Sequence, residues 1–348
     1  MTQQVQLSPS GHSFEVEADE SVLAAGLRQH IGLPYGCRNG QCGSCAATLL
    51  EGEVDYPEGE PKALADAGEG ACILCKAVAR TDLRLQVRET ERAADLEPRI
   101  MPVRVHTVEH LSHDVIRLFL KLPETQRLQF MAGQYLDFLL ADGKRRAFSI
   151  ANAPHDDAFV ELHIRHVDGG KFTDFVFSKM KEKSILRINA PLGTFTLDEE
   201  SERPMLFVGG GTGFAPLKGQ IEHAFHSGIA RPMHLYWGVR SRRDLYLPDL
   251  PTQWAAEHGN FAFDPVLSEP DTDWDGRSGW VHEAVVADHP DMSGFDVYMA
   301  GPPPMIKAAR DAFKAAGLSE DRMFYDAFEY GAAADKPAAD AASSQAAG

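Results

Sequence analysis

Long apolar runs are missing from this chain of 348 residues. Nowhere do about 18 successive apolar positions occur, which excludes a transmembrane helix of ordinary length. The opening Met-Thr-Gln-Gln-Val lacks both a basic start and an apolar stretch, so no secretory signal is expected and the reading is a cytoplasmic protein. Positive charge is scarce: 34 Lys and Arg stand against 51 Asp and Glu, a formal net charge of −17. Nucleic acid and anionic lipid are therefore poor partners. Cysteine is scarce too. Five cysteines, all between positions 37 and 75, are too few for a disulfide scaffold. Reduced thiolates gripping a metal centre fit better. What remains, 44% hydrophobic and 24% charged, is ordinary for a folded chain of two or three domains.

Pattern divides the chain into segments. Residues 1–90 alternate short strands with one helix over 21–30, capped by Ser21, with Val22, Leu23 and Leu27 turned inward. Residues 91–100, charged and ending near Pro98, read as a linker. Residues 101–198 hold many short β-branched or alternating strands and one helix over 172–180, which suggests a small closed barrel. From 203 to 330 the rhythm becomes strand, turn, helix, and implies a parallel sheet with helices on both faces. Residues 331–348, rich in Ala, Asp and Ser, read as a disordered tail.

Pro34-Tyr-Gly-Cys37-Arg-Asn-Gly-Gln-Cys42-Gly-Ser-Cys45 gives C-x4-C-x2-C spacing, and Cys75 follows after 29 more residues. Plant-type [2Fe-2S] centres use this arrangement. Three thiolates within nine residues converge on one small cluster only if the chain curls tightly, and Gly36, Gly40 and Gly43 permit such a curl. The curled backbone can then aim N–H groups at sulfur. A zinc site would favour paired CxxC and often His; only Cys42 and Cys45 form such a pair here. Cys72 reads as a small buried side chain, with the alternative that it is the fourth ligand left open.

Three further motifs suit phosphates. Arg146-Ala-Phe-Ser-Ile-Ala-Asn152 begins a strand after a charged turn; its Arg could neutralise a phosphate, its aromatic cover a flavin face and its hydroxyl meet a flavin nitrogen. A surface Arg beside a core strand is the plainer alternative. Asp168-Gly-Gly-Lys-Phe-Thr173 enters a helix whose amides can hold a phosphate. Val208-Gly-Gly-Gly-Thr-Gly-Phe-Ala-Pro216 runs from apolar strand to helix, where glycines let a pyrophosphate approach.

Together these motifs resemble the ferredoxin–NADP reductase superfamily over residues 1 to about 330, in the order ferredoxin, flavin, nucleotide domain. The resemblance implies a multidomain α+β and α/β architecture: an N-terminal β-grasp ferredoxin domain, a six-stranded antiparallel flavin-binding β-barrel and a doubly wound parallel-sheet nucleotide-binding domain. It implies Cys37, Cys42, Cys45 and Cys75 as cluster ligands, Cys75 because Cys-Lys-Ala-Val-Ala-Arg-Thr-Asp-Leu resembles the segment that ends this site. FAD contacts fall on Arg146, Phe148, Ser149, His163, Ile164, Gly170, Lys171, Phe172 and Thr173. Nucleotide contacts fall on Gly211, Thr212, Gly213, Pro216, Gly238, Arg240, Arg242, Gly301, Pro302 and Met305, with Phe328 near the flavin. Two positions depart from the family pattern: Phe148 replaces a Tyr and Ala300 a Cys; Phe214, where the standard G-x-G-x-x-G has its third glycine, matches the superfamily's own variant. Arg242 and Asp244 favour opposite ribose substituents, so NADH and NADPH stay equally open.

Electron counting gives the implied mechanism. A nicotinamide nucleotide gives two electrons, a [2Fe-2S] cluster takes one, and FAD splits the pair, with Ser149 at the flavin as the nearest thing to a catalytic residue. The implied partner is a separate terminal electron acceptor, an oxygenase component or a sugar dehydrase. Two alternatives are a direct reductase of small acceptors (free flavin, quinone, ferric chelates) and a sensing module that binds nucleotide without turnover.

Overall fold

The computed structural model describes residues 2–90 and 96–328. The expected tail at 331–348 and the first half of the expected linker, residues 91–95, lie outside the described residues. Among those residues no helix is long and apolar enough to cross a membrane.

The first unit is a five-stranded sheet ordered Ser13–Val16, Gln3–Ser8, Leu83–Gln86, Ala46–Glu51, Ala71–Ile73. Period-two alternation turns Val5 and Leu7 to one face, where the helix Val22–Arg28 packs Val22, Leu23 and Ala25 against Phe14 and Leu33. Ser21 caps that helix, its Oγ accepting the Ala24 N–H at 3.2 Å. The helix stops short of the expected position 30 because His30 turns left-handed, with φ 59°.

The second unit is six antiparallel strands ordered Arg145–Ser149, Tyr135–Leu139, Ile185–Leu192, Arg99–His110, Val115–Lys121, Val160–Arg165. A bridge between Ile150 and Leu162 joins the two ends, so the sheet curls into a barrel. Val103, Ile116, Leu118, Leu136, Phe138 and Leu162 fill it. The helix Lys171–Ser178 closes one side through Phe172 and Val176.

The third unit is a parallel sheet ordered Arg277–Ser278, Phe261–Leu267, Met233–Val239, Met205–Gly210, Asp296–Gly301, Met323–Ala327. Met205–Gly210 and Asp296–Gly301 are buried along their whole length, as expected of strands covered on both faces. One core, around Phe207, Phe214 and Trp237, lies under the helices Phe214–His226 and Asp249–Glu257. The other, around Val208, Met299 and Phe313, lies under Val281–Asp288 and Pro303–Ala315. The edge strand Arg277–Ser278 carries no periodic signal in two residues.

Ion pairs tie the three units together. Asp198, just past the barrel, takes Arg88 of the first unit at 2.8 Å and Arg322 of the third at 3.2 Å. Arg88 also donates to the Asp321 carbonyl at 2.7 Å and lies over the Phe324 ring. Deeper in, Arg231 meets Asp296 at 3.0 Å, the two side chains only 6% and 0% exposed. Stripping a fully buried partner costs more than stripping a partly exposed one such as Asp198, because a desolvated charge is left behind. Asp296→Ala should therefore lower stability by about 3–5 kcal/mol and Asp198→Ala by about 1 kcal/mol. Denaturant midpoints of the holoprotein measure this ranking, and equal losses would contradict it.

Candidate functional site

Four of the five cysteines converge. The N–H of Cys37 points at Cys42 Sγ and the N–H of Cys42 at Cys37 Sγ, each at 3.4 Å. The Cys42 thiol donates to Ser44 Oγ at 3.4 Å, and the thiols of Cys37 and Cys42, and those of Cys45 and Cys75, shift one another's ionisation. The loop curls as its glycines require: Gly40 and Gly43 have φ of 81° and 79°. Gly36 keeps a negative φ, and its role is close approach, since a Cβ there would lie 3.4 Å from Cys42 Sγ. The Cys37 thiol is held down to about 5, first by the Cys42 hydrogen bond and then, against burial, by backbone N–H groups of Asn39, Cys42 and Gln41. Amides aimed at sulfur suit anionic thiolates, so the donor set fits an iron–sulfur group. Cys72 stands apart in the core of the first sheet, pushed up to about 12 by burial alone.

The flavin motif gathers on the outer barrel strand. Among the described residues Arg146 has no carboxylate partner; its guanidinium bonds only the Arg145 carbonyl, at 2.9 Å, and stays available to an anion. Phe148 meets Phe172 at 5.6 Å and Phe138 at 5.8 Å, so the aromatic of the strand and the first helical turn over residues 170–173 come together. Gly170 and the exposed Lys171 open that turn, while the Thr173 hydroxyl is engaged with Gly170 and Val167 carbonyls. Ser149 Oγ lies 3.5 Å from Asp326 Oδ2.

Asp326 was not singled out from sequence, although it sits inside the aromatic stretch 324–330. It keeps a little open surface but is enclosed by protein, and burial, with Cys37 nearby, pushes its carboxyl up to about 7. His163 and Ile164 lie on the strand Val160–Arg165, which meets the end of the flavin strand at the Ile150–Leu162 bridge. Ile164 fills the barrel core. The His163 ring is buried between units, 2.9 Å from Glu161 and 3.0 Å from Tyr246 Oη. Lys218 donates to Glu161 and Glu222, each at 3.0 Å. Burial opposes ionisation of Glu161, but His163 and Lys218 overcome it and hold the carboxyl down to about 2.

The nucleotide motifs face each other. Gly213 packs so tightly on the Asp296–Gly301 strand that a Cβ would fall 1.9 Å from the Ala300 carbonyl oxygen. A Cβ on Gly210 would meet Met305 Sδ at 2.5 Å and Pro302 at 2.9 Å. Gly211, Thr212 and Pro216 are buried in the same turn. The Phe328 N–H reaches the Gly301 carbonyl at 2.9 Å. Gly238 abuts Val281, which leaves no room for a side chain. Arg240 and Arg242 are exposed, Arg242 over the Trp274 ring, whereas Asp244 turns inward to accept from Ser241.

The cysteine loop is bonded to both other units. Tyr135 Oη donates to the Gly36 carbonyl at 2.7 Å, and the Tyr35 N–H to Thr194 Oγ1 at 2.8 Å. Arg38 pairs with Asp137 at 3.1 Å. Ser44 Oγ donates to the Tyr325 carbonyl at 3.3 Å. The strand Met323–Ala327 thus touches the loop through Tyr325 and Ser149 through Asp326.

Comparison with known proteins follows the same three-part division. Residues 5–80 match the 2Fe-2S iron-sulfur cluster binding domain, 102–197 the oxidoreductase FAD-binding domain and 207–311 the oxidoreductase NAD-binding domain. The chain is 39% identical over 328 residues to the CDP-6-deoxy-L-threo-D-glycero-4-hexulose-3-dehydrase reductase of Yersinia pestis, covering 94% of this chain and 99% of that one. It is 35% identical to the phenol 2-monooxygenase reductase component DmpP of Pseudomonas sp. strain CF600, covering 94% and 95%. Among solved structures, the Amycolatopsis cytochrome P450 reductase GcoB superposes with a TM-score of 0.74 at 33% identity, covering 94% and 99%.

The Ser149–Asp326 pair generates a pH prediction. A neutral Asp326 donates its proton to Ser149 Oγ and frees the serine hydrogen for a ligand; an ionised one captures that hydrogen. Flavin reduction by the nucleotide should therefore slow as pH rises through about 7. In Asp326→Asn, whose amide donates at every pH, rapid-mixing rates should stay flat across that range.

Proposed function

Because the chain belongs to the iron–sulfur flavoprotein reductases, in which a plant-type ferredoxin domain is joined to an FAD- and NAD-binding reductase, we propose that it supplies electrons to a separate terminal enzyme through its cysteine loop. The chain is an NAD(P)H-dependent oxidoreductase using FAD and a [2Fe-2S] cluster. When bound, the nicotinamide supplies an electron pair, the flavin divides it and the cluster carries single electrons.

The chain's own residues have positioning roles. Cys37, Cys42, Cys45 and Cys75 hold the cluster, and the Cys37 and Cys42 amides temper the charge on their sulfurs. Arg146 and the helix entrance at 170–173 take the FAD phosphates, Phe148 covers an apolar part of the cofactor, and Ser149 presents its hydroxyl to the flavin ring. Gly211, Thr212 and Gly213 admit the nucleotide pyrophosphate; Gly301, Pro302 and Met305, backed by Phe328, border the nicotinamide. Aligning two rings needs no side-chain nucleophile, so Ala300 suffices where the family pattern would place a Cys.

One observation carries this reading: the cysteine loop is bonded to the barrel strand through Tyr135 and to the last strand through Ser44, and that same strand brings Asp326 to Ser149. The loop is thereby held beside the flavin motif. The acceptor is a terminal enzyme of the oxygenase or dehydrase kind, as the names of the relatives suggest, and the reduced thiols suit a cytoplasmic setting.

Anaerobic mixing of the holoprotein with NADH or NADPH tests the reading. Flavin absorbance should bleach first and cluster absorbance after it; a cluster that stays oxidised would refute it. Cys75→Ser should lose the visible cluster absorption, whereas Cys72→Ser keeps it. Ser149→Ala should slow flavin reduction about tenfold, the worth of one hydrogen bond to the reacting ring.

A further inference from the structure

Between the three units lies a crevice of about 1160 Å³, lined neither by residues 146–149 of the flavin strand nor by the glycine turn at 210–213. Its walls are residues 86–90 of the first unit, 193–200 at the end of the barrel and 323–326 of the last strand, and the cysteine loop contributes Gly36, Gly43 and Ser44. Nine carboxylates and two guanidinium groups line it. Both arginines are engaged: Arg88 with Asp198 at 2.8 Å, and Arg310 over the Tyr325 ring at 4.7 Å. Lys307, Lys314 and Arg322 pair with Asp66, Glu320 and Asp321 from outside, which still leaves the lining negative.

Glu89 gives this lining a specific anchor. Its side chain is 9% exposed, and Oε2 meets His12 Nδ1 at 2.7 Å. Its other oxygen, Oε1, is buried without a hydrogen-bond partner among the described residues. A carboxylate oxygen stripped of water and left unpaired is costly, and the Glu89 side chain, turned out into the crevice that it lines, would recover that cost on meeting a donor there. A cation recovers most, since charge-assisted bonds are the stronger kind. Glu69, exposed in the same lining, adds a second negative group with which to attract it.

We propose that this crevice receives a lysine- or arginine-bearing segment of the electron-accepting protein, with the Glu89 carboxylate taking the cationic group. The inference rests on the cysteine loop being the electron outlet. A segment seated here would touch Gly43 and Ser44, so the acceptor's redox centre would be drawn toward the cluster, and opposite charges would speed encounter.

Cytochrome c, a basic haem protein, serves as the probe acceptor, ferricyanide as the anionic control and tetralysine as the competitor. Each NAD(P)H oxidised reduces two ferricytochromes and releases one proton. In Glu89→Gln the KM for cytochrome c should rise about five- to tenfold and its dependence on ionic strength should weaken. Ferricyanide reduction should be unchanged, and tetralysine, a competitive inhibitor of the parent protein, should no longer inhibit. The rim variant Glu69→Lys should shift KM the same way if Glu89→Gln folds poorly. Unchanged KM and unchanged tetralysine inhibition in a variant whose cluster bleaches normally would overturn the docking site. A parent protein whose cluster never bleaches would instead overturn the outlet; calorimetric tetralysine binding, lost or retained in Glu89→Gln, would then decide the cation site alone.

Discussion

A hydrogen bond between two domains, Tyr135 Oη to the Gly36 carbonyl, holds the cysteine loop where single electrons can leave the flavin side of the molecule. Electron transfer between centres weakens steeply with separation, so a reductase built from three folding units needs its units fixed more than it needs reactive side chains. The Tyr35–Thr194 and Arg38–Asp137 contacts repeat the same task within a few residues of the loop. Gly193, at φ 88°, lets its turn lie flat on the Tyr135 ring, where a Cβ would come within 2.8 Å. The loop is therefore seated on a surface shaped for it, and the cluster chemistry inherits that geometry.

Charge serves the same end. The Glu161–Lys218–Glu222 group and the Arg231–Asp296 pair are buried at contacts that must not slide. Ion pairs of this kind add little net stability beside an apolar replacement of equal shape, because desolvation offsets attraction. Their directionality is what helps here: Lys218 reaches the Ala151 carbonyl and Glu161 from the nucleotide-side helix, so one amine measures the distance between two domains.

The three chemistries were legible because each is written in contiguous residues. Three thiols within nine residues, a glycine turn between strand and helix, and Arg-x-Phe-Ser on a strand need no knowledge of the rest of the fold, whereas Cys75, thirty positions further on, is assigned by resemblance, with Cys72 left open beside it. The joints were not legible, since Tyr135 and Gly36 are 99 positions apart and Ser149 and Asp326 are 177. No local pattern marks such a pair. His163 illustrates the limit well. Alternation fixes which way its side chain points, but only the docked nucleotide unit reveals that Tyr246 waits there. Arg242 and Asp244 differ by two positions, yet the Ser241 cap turns one inward and leaves the other in solvent.

The strand Met323–Ala327 is paired in parallel with Asp296–Gly301 near the end of the described chain, and it carries both Tyr325 and Asp326 to their distant partners. During synthesis, domains fold as they emerge, the N-terminal ones first. The iron–sulfur and flavin units can thus acquire their shapes while the ribosome is still making the third. Until this late strand leaves the exit tunnel, the cysteine loop lacks one of its two supports and Ser149 lacks its acid. A polypeptide released early would carry its metal and flavin motifs joined through Tyr135, Thr194 and Asp137 but without the strand that braces both from the nucleotide unit.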